Sequence, residues 1–215
     1  MHPRLYLITP EDLDIDRFPD QLAAALAGGD VACLMIADGG WGETGFQKIA
    51  ERIVPMAQKA GTAVLVHNDS RTAGRSRADG IHVDTGTEDD LKQALETFRP
   101  GGIVGVGDIR TRHDAMTAAE LGVDYVFFGL LAREEDEEPH RKTLDFASWW
   151  AEMFETPCVA LSGHALAGIE TAAATGADFV AARAAIWNHP DGPEAAVRAA
   201  NEILSRHQLG EVDNG

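Results

Sequence analysis

The sequence is poor in cysteine, in basic residues and in long apolar runs. Its two cysteines, Cys33 and Cys158, each lie inside a segment patterned like a buried strand. We therefore expect buried free thiols rather than a disulfide. No apolar run approaches the roughly 20 residues of a membrane-spanning helix, and the N-terminus enters a strand-like segment without an apolar leader. These absences predict a cytoplasmic protein that does not interact with membranes.

Basic residues are outnumbered, with 18 lysines and arginines against 35 aspartates and glutamates and a formal net charge of −17. Such an acidic surface repels nucleic acid and anionic membranes, so we expect neither as a partner. The same field repels anionic small molecules unless a local pocket reverses it. A site for a phosphorylated ligand would therefore have to gather its own positive groups.

What the sequence does contain is a series of short strands that are too apolar to have a solvent-exposed face, which is typical of a parallel sheet covered on both sides. The predicted strands are residues 5–8, 31–36, 62–66, 80–83, 103–106, 125–128, 158–161 and 179–182. Helical segments alternate with them, at residues 17–26, 44–60, 71–76, 87–98, 111–121, 144–154, 165–175 and 193–206.

Strict alternation of strand and helix predicts right-handed crossovers onto a parallel sheet. Eight such units favour a single (β/α)8 TIM barrel, although this fold usually has about 250 residues. The alternative is an open doubly wound sheet, which usually carries a glycine-rich fingerprint after its first strand. Residues 9–12 read Thr-Pro-Glu-Asp and lack that fingerprint. We predict one barrel domain over residues 1–208 and a flexible tail over residues 209–215.

In a TIM barrel the functional site lies at the carboxyl ends of the strands. Two of these ends suggest phosphate binding. Ser162 and Gly163 follow the seventh strand and lead into a helix, and Ala182 and Arg183 follow the eighth. Backbone N–H groups at a helix N-terminus and a nearby arginine are suited to phosphate. The alternative is an ordinary glycine turn and a solvated arginine.

Carboxylates at two other strand ends suggest a divalent cation. Asp69 follows the third strand and Asp84 the fourth, and Mg²⁺ is commonly held by one or two carboxylates together with water and substrate phosphate. The alternative is that Asp69 caps the following helical turn. Four further side chains are expected to line the pocket from neighbouring strand ends: Asp38, His67, Asp108 and Arg110.

Several segments together resemble the thiamine-phosphate synthase and thiazole tautomerase family. The most specific part is the pair Asn68-Asp69 about ten residues before Ala-Asp-Gly-Ile-His-Val at 78–83. The resemblance implies a barrel that joins a pyrimidine diphosphate to a thiazole phosphate with Mg²⁺. It implies catalytic roles for Asn68 and for Lys142, a metal ligand at Asp69, and phosphate contacts at Gly163.

The chain departs from the family pattern at the second strand and after the sixth. The family's Gln-x-Arg-x-Lys aligns with Leu34, Ile36 and Asp38, which lack its positive charges. Its Thr-x-Thr-Lys is replaced by residues 132–142, which include five consecutive acids at 134–138, and only realignment brings Lys142 to the missing lysine.

Three functions remain open at this point. The chain is a divergent synthase that binds a phosphorylated thiazole or pyrimidine, a non-catalytic or regulatory barrel that keeps only the phosphate site, or another TIM-barrel enzyme with a phosphorylated substrate. The sequence also leaves open whether the protein forms a homodimer.

Overall fold

Eight parallel strands close into a barrel in sequence order, and the last strand pairs with the first. The computed structural model describes residues 2–84, 87–131 and 136–207. The strands are β1 (Arg4–Ile8), β2 (Cys33–Ile36), β3 (Ala63–His67), β4 (Gly80–Asp84), β5 (Ile103–Gly107), β6 (Tyr125–Phe128), β7 (Cys158–Leu161) and β8 (Phe179–Ala182). The predicted TIM barrel is therefore confirmed.

A helix follows every strand and covers the outside of the barrel. The helices in the described residues are α1 (Phe18–Ala27), α2 (Gly42–Lys59), α3 (Ser70–Ser76), α4 (Glu88–Phe98), α5 (Arg112–Leu121), α6 (Arg141–Met153), α7 (Leu166–Ala173), α8 (Ala184–Trp187) and α9 (Gly192–Leu204). Thr87 caps α4 in a reciprocal capping box with Asp90.

The helices differ from the sequence prediction at two places near the mouth of the barrel. Helix α6 begins three residues earlier than predicted, because the His140 side chain accepts a hydrogen bond from the Lys142 N–H and caps its first turn. The short helix α8 was not predicted, since four residues are too few to show a helical period. The predicted tail at 209–215 lies outside the described residues.

The core has two apolar layers, as expected for strands with both faces buried. The outer layer packs between sheet and helices and includes the fully buried Trp150. The inner layer fills the barrel and includes Tyr6, Met35 and Phe127. Cys33 and Cys158 are buried free thiols, as predicted. Within the described part of the chain, no helix is both long and apolar enough to cross a membrane.

Strand alternation corrects the sequence reading of β2. Leu34 and Ile36, which were aligned with two family residues that grip diphosphate, lie in the outer layer against the helices. Cys33 and Met35 of β2, and Ala37 directly after it, face the barrel interior, because successive side chains of a strand point to opposite faces. These inward positions are apolar. Whether the family residues are aligned with the outward or with the inward positions, β2 therefore offers no positive charge to the mouth.

Candidate functional site

The ends of β3 and β4 hold a hydrogen-bonded cluster of Asn68, His67 and Asp84. His67 Nε2 lies 2.7 Å from Asp84 Oδ2, and Asn68 Oδ1 accepts a hydrogen bond from the Asp84 N–H at 2.8 Å. Asn68 has a left-handed φ of 55°, a conformation that asparagine tolerates better than most residues. Three residues that the sequence placed in the pocket are thus brought together.

Asp84 lies between two imidazole rings, those of His67 and His82. Burial by itself would raise the pKa of Asp84, but the His67 hydrogen bond and the nearby His82 ring outweigh burial and hold that pKa well below its usual range. Its second oxygen, Oδ1, is 3.6 Å from His82 Nε2, which is too far for a hydrogen bond. Asp84 is therefore a fixed anion at the floor of the mouth.

The amide of Asn68 retains hydrogens for a ligand. His67 Nε2 lies 3.1 Å from Asn68 Nδ2, but a ring nitrogen carries at most one hydrogen and the charged Asp84 carboxylate is its better acceptor. With its hydrogen directed at Asp84, Nε2 has no lone pair for the amide. Since Asn68 is exposed, its N–H groups can donate to a molecule in the mouth.

Asp69 caps the helix that follows it, as the alternative reading expected. One carboxylate oxygen accepts from the Thr72 N–H at 2.9 Å and the other from the Thr72 hydroxyl at 2.8 Å. Burial alone would raise the pKa of Asp69, but these hydrogen bonds outweigh burial and lower it. Among the described residues, no three His, Cys, Asp or Glu side chains come together in an arrangement that would hold a metal ion.

Arg183, at the end of β8, is held across the mouth by groups from two other strand ends. Its guanidinium donates to Glu11 Oε1 and to the Leu131 carbonyl, both at 2.8 Å. The Arg183 side chain is 11% exposed and that of Glu11 65% exposed. The cation expected for phosphate is therefore present at the mouth and already paired with a carboxylate. Ala182 lies just before it, fully buried in the outer layer.

The turn after β7 is covered by residues 136–138, which we call the acidic segment. The backbone carbonyl of Asp136 accepts from the His164 N–H at 2.9 Å, and that of Glu137 accepts from the Ala165 N–H at 3.2 Å. A side chain at Gly163 would meet the Glu137 carbonyl oxygen at 2.1 Å, so only glycine permits this packing. Main-chain oxygens thus occupy N–H groups at the start of α7, next to the predicted phosphate contacts.

A cavity of about 230 Å³ lies beside this turn, between β6, β7 and α6. Arg110 and Lys142 line it on one side, and Ser162 and Gly163 on another. The Lys142 ammonium donates to the Arg110 carbonyl at 2.6 Å. Four apolar side chains also line it, Ile109, Phe128, Phe146 and Leu161, and so do the acids Asp136 and Glu138. The cavity therefore combines positive groups with an aromatic surface.

Two acids predicted in the pocket, Asp38 and Asp108, make contacts with residues close to them in the sequence. Asp38 is exposed, and its carboxylate accepts from the Gly40 N–H at 2.9 Å, which stabilises the turn after β2. Asp108 forms an ion pair with Arg110 at 3.0 Å. Asp108 has a left-handed φ of 49°, which directs the chain from β5 into the turn before α5.

A chain of buried polar groups extends from the mouth into the barrel. His82 Nδ1 lies 2.7 Å from the Tyr125 hydroxyl, which lies 2.9 Å from the Tyr6 hydroxyl. Burial raises the pKa of both phenols well above the usual value and lowers the pKa of His82. All three groups are therefore neutral near pH 7. The network joins residues of three strands, β1, β4 and β6, and no local sequence pattern points to it.

Glu11, Tyr6 and Tyr125 are the site residues that the sequence reading missed. Glu11 comes three residues after β1, and the rule that strand ends form the mouth would have included it. The two tyrosines lie within strands, at the start of β6 and in the middle of β1. No local pattern distinguishes them from apolar residues of the core.

The fold and the mouth define a class, a TIM barrel whose polar site is built from several strand ends. Comparison of the whole chain makes the assignment more specific. A family model described as thiamine monophosphate synthase matches residues 5–186. This chain belongs to that family.

Individual relatives agree with the family assignment. The thiamine-phosphate synthase of Rhodospirillum centenum is 39% identical over 204 residues, which cover 94% of this chain and 97% of the relative. That of Hyphomonas neptunium is 36% identical over 208 residues, covering 94% and 93%. A solved thiamine phosphate pyrophosphorylase from Pyrococcus furiosus superposes with a TM-score of 0.79 at 20% identity over 96% of this chain and 97% of its own. At that identity the likeness concerns the fold.

Proposed function

We propose that this chain acts in thiamine biosynthesis as a thiamine-phosphate synthase. It would bind a pyrimidine methyl diphosphate and a thiazole phosphate at the mouth of the barrel. The thiazole nitrogen forms a bond to the pyrimidine methylene carbon, and the carbon–oxygen bond to diphosphate breaks. The diphosphate leaves with the bonding electron pair. The protein's part is to bind and orient the two rings and to stabilise charge on the leaving group.

The cavity beside Lys142 carries this proposal. It places a flat apolar wall next to a lysine ammonium and to the Ser162–Gly163 turn, which suits a small heterocycle bearing a phosphate. Lys142 Nζ also lies 5.1 Å from the centre of the Phe146 ring. A lysine here takes the role that the family resemblance gave it, because helix α6 begins early enough to bring it to the cavity.

Magnesium fits the donor chemistry of the same mouth. Asp69 offers hard oxygens at the rim, and each carboxylate oxygen keeps a lone pair beyond its bond to Thr72. Asp84 suits a metal less well, because its oxygens face two imidazole rings. Mg²⁺ often binds through one carboxylate with waters and substrate phosphate completing its shell. It would add positive charge to a mouth whose cavity has Asp136 and Glu138 at its edge.

A second candidate function, a binding barrel without catalysis, is favoured by two specific observations. The inward-facing Met35 of β2 and Ala37 just after it are apolar, and Arg183 is paired with Glu11. Few cations are then left for a diphosphate leaving group. Losing one donor to developing charge commonly lowers a rate a hundredfold or more.

Two measurements on the full chain decide between these functions. Thiamine phosphate formation is assayed from both substrates with Mg²⁺, and binding of thiazole phosphate is measured by calorimetry. A synthase gives turnover that falls at least about tenfold in Lys142→Gln, whereas Lys59→Gln, at the opposite end of the barrel, changes nothing. Binding without turnover would establish the second candidate. Failure of the wild-type protein to bind or convert either substrate would refute both.

A further inference from the structure

The acidic segment, residues 136–138, lies directly over the turn that follows β7. Its backbone carbonyls accept hydrogen bonds from the His164 N–H at 2.9 Å and from the Ala165 N–H at 3.2 Å. A side chain on Gly163 would lie only 2.1 Å from the Glu137 carbonyl oxygen, so the segment and the turn are in main-chain contact. Main-chain oxygens are therefore already in place where the oxygens of a phosphate would bind.

While the segment is in place, the cavity beside it is a poor site for an anion. Asp136 and Glu138 line this cavity together with Ser162 and Gly163 of the turn. A phosphate brought against the turn would face the carbonyl oxygens and carboxylates of the segment, and negative groups at short range repel each other. Moving the segment away would remove these acceptors and uncover N–H groups at the start of α7, which suit a phosphate.

The segment is anchored by polar contacts, which can be exchanged for contacts with a ligand. Residues 136–138 are all exposed, and the Glu138 carboxylate accepts a hydrogen bond from the Thr171 hydroxyl at 2.8 Å. Pro139, by contrast, is buried, and helix α6 with Lys142 begins shortly after it. Segments with few buried apolar groups open at low free energies. The segment can therefore open while α6 and its lysine stay in place.

We propose that the acidic segment is autoinhibitory and competes with phosphate for the turn after β7. In the free protein its carbonyls occupy the N–H groups of His164 and Ala165, and a phosphorylated ligand displaces it. Because the ligand interacts favourably with the open form only, its binding shifts the population toward that form. The competition rests on the proposed function for the ring that carries the phosphate, but the group that displaces the segment is the phosphate itself.

A spin label on the segment tests the displacement directly. Cys33 and Cys158 are buried, so Glu137→Cys adds one accessible thiol for a nitroxide and keeps the backbone carbonyl at this position. The electron paramagnetic resonance spectrum is recorded during titration with inorganic phosphate, with thiazole phosphate and with the thiazole alcohol that lacks phosphate. Both phosphates should convert an immobilised signal into a mobile one, and the alcohol should not. Phosphate binding by calorimetry with an unchanged signal, or mobilisation by the alcohol, would overturn the inference.

A substitution that pushes on the segment provides a second measurement. A side chain at Gly168 would lie 2.9 Å from the Glu137 carbonyl oxygen, so Gly168→Ala displaces the segment. Gly74→Ala is the matched control, because it adds the same methyl group within a helix and meets nothing within 4 Å. Gly168→Ala should make the label mobile without ligand and tighten the binding of inorganic phosphate about threefold, whereas Gly74→Ala should change neither. A mobile label with unchanged phosphate affinity would show that the segment does not compete.

The two sets of results separate this inference from the proposed function. If the wild type forms thiamine phosphate while the label stays immobile, the inference alone fails. If phosphate binds and mobilises the label but the two substrates give no turnover, the synthase assignment fails and the inference stands. If neither the wild type nor Gly168→Ala binds any phosphate, both fail.

Discussion

Replacing Glu11 by glutamine should strengthen binding of phosphorylated ligands at the mouth. Glu11 accepts a hydrogen bond from Arg183 at 2.8 Å, so an anion that uses this guanidinium must compete with the carboxylate. The substitution keeps the shape of the side chain and removes its charge. Arg183 remains in place, because the Leu131 carbonyl also accepts from it at 2.8 Å.

The expected gain is modest, because one partner of the ion pair faces solvent. The Glu11 side chain is 65% exposed although that of Arg183 is only 11% exposed, and pairs with an exposed member contribute about 0.2–1 kcal/mol. Removing the competing charge therefore strengthens phosphate binding by up to about 1 kcal/mol, which is roughly a fivefold change in Kd. The effect should shrink at high salt, where exposed charges are screened.

Calorimetric titration with thiazole phosphate at low and high ionic strength measures this effect. Asp12→Asn is the matched control, since Asp12 is an exposed acid next to Glu11 in the sequence and its loss changes net charge equally. Equal gains in the two variants would show that only the overall field matters. Weaker binding in Glu11→Gln would mean that Glu11 positions Arg183 for the ligand, and either result would refute competition.

Three further predictions follow from individual contacts. Thr171→Val removes the hydroxyl that donates to Glu138 of the acidic segment at 2.8 Å. The segment is then held less tightly over the N–H groups at the start of α7, so the affinity for phosphate measured by calorimetry should rise about twofold to threefold. Thr87→Ala removes an N-cap and should lower the unfolding free energy in urea by about 1 kcal/mol. Folding lowers the pKa of Asp84. The stability that this shift contributes is fully present above about pH 4, which is the pKa of an aspartate in the unfolded chain, and it is lost as the pH falls further. Asp84→Asn should thus flatten the acid side of a curve of unfolding free energy against pH, whereas Asp12→Asn should leave that curve unchanged. Each contact would be contradicted if its variant showed no change: in acid sensitivity for Asp84→Asn, in phosphate affinity for Thr171→Val, or in stability for Thr87→Ala.

The barrel itself was predictable from the sequence because both faces of every strand are buried. Apolar runs such as 64–66 and 158–161 have no polar alternation, and only a sheet covered on both sides explains that pattern. Most predicted helix ends lie within two or three residues of the observed ones. Helix α8 was missed for lack of length.

The site was less predictable, because sequence order does not show which face of a strand a residue occupies. Leu34 and Ile36 were aligned with mouth residues, and alternation turned them outward. Long-range partners were also hidden. Glu11 lies 172 residues from Arg183, and Tyr6 lies 119 residues from Tyr125. Only closure of the barrel brings such pairs together, so their contacts could not be read from local motifs.

The mouth divides into two sides with different electrostatic character, and this division accounts for a binding site in a protein of net charge −17. On the β4–β5 side the anion Asp84 lies against the imidazole rings of His67 and His82. On the side formed by β7, β8 and α6, Lys142 and Arg183 provide positive charge, which suits phosphate. Glu11 and the acidic segment lie on that second side alone. We therefore expect substitutions on that second side to change affinity for phosphate.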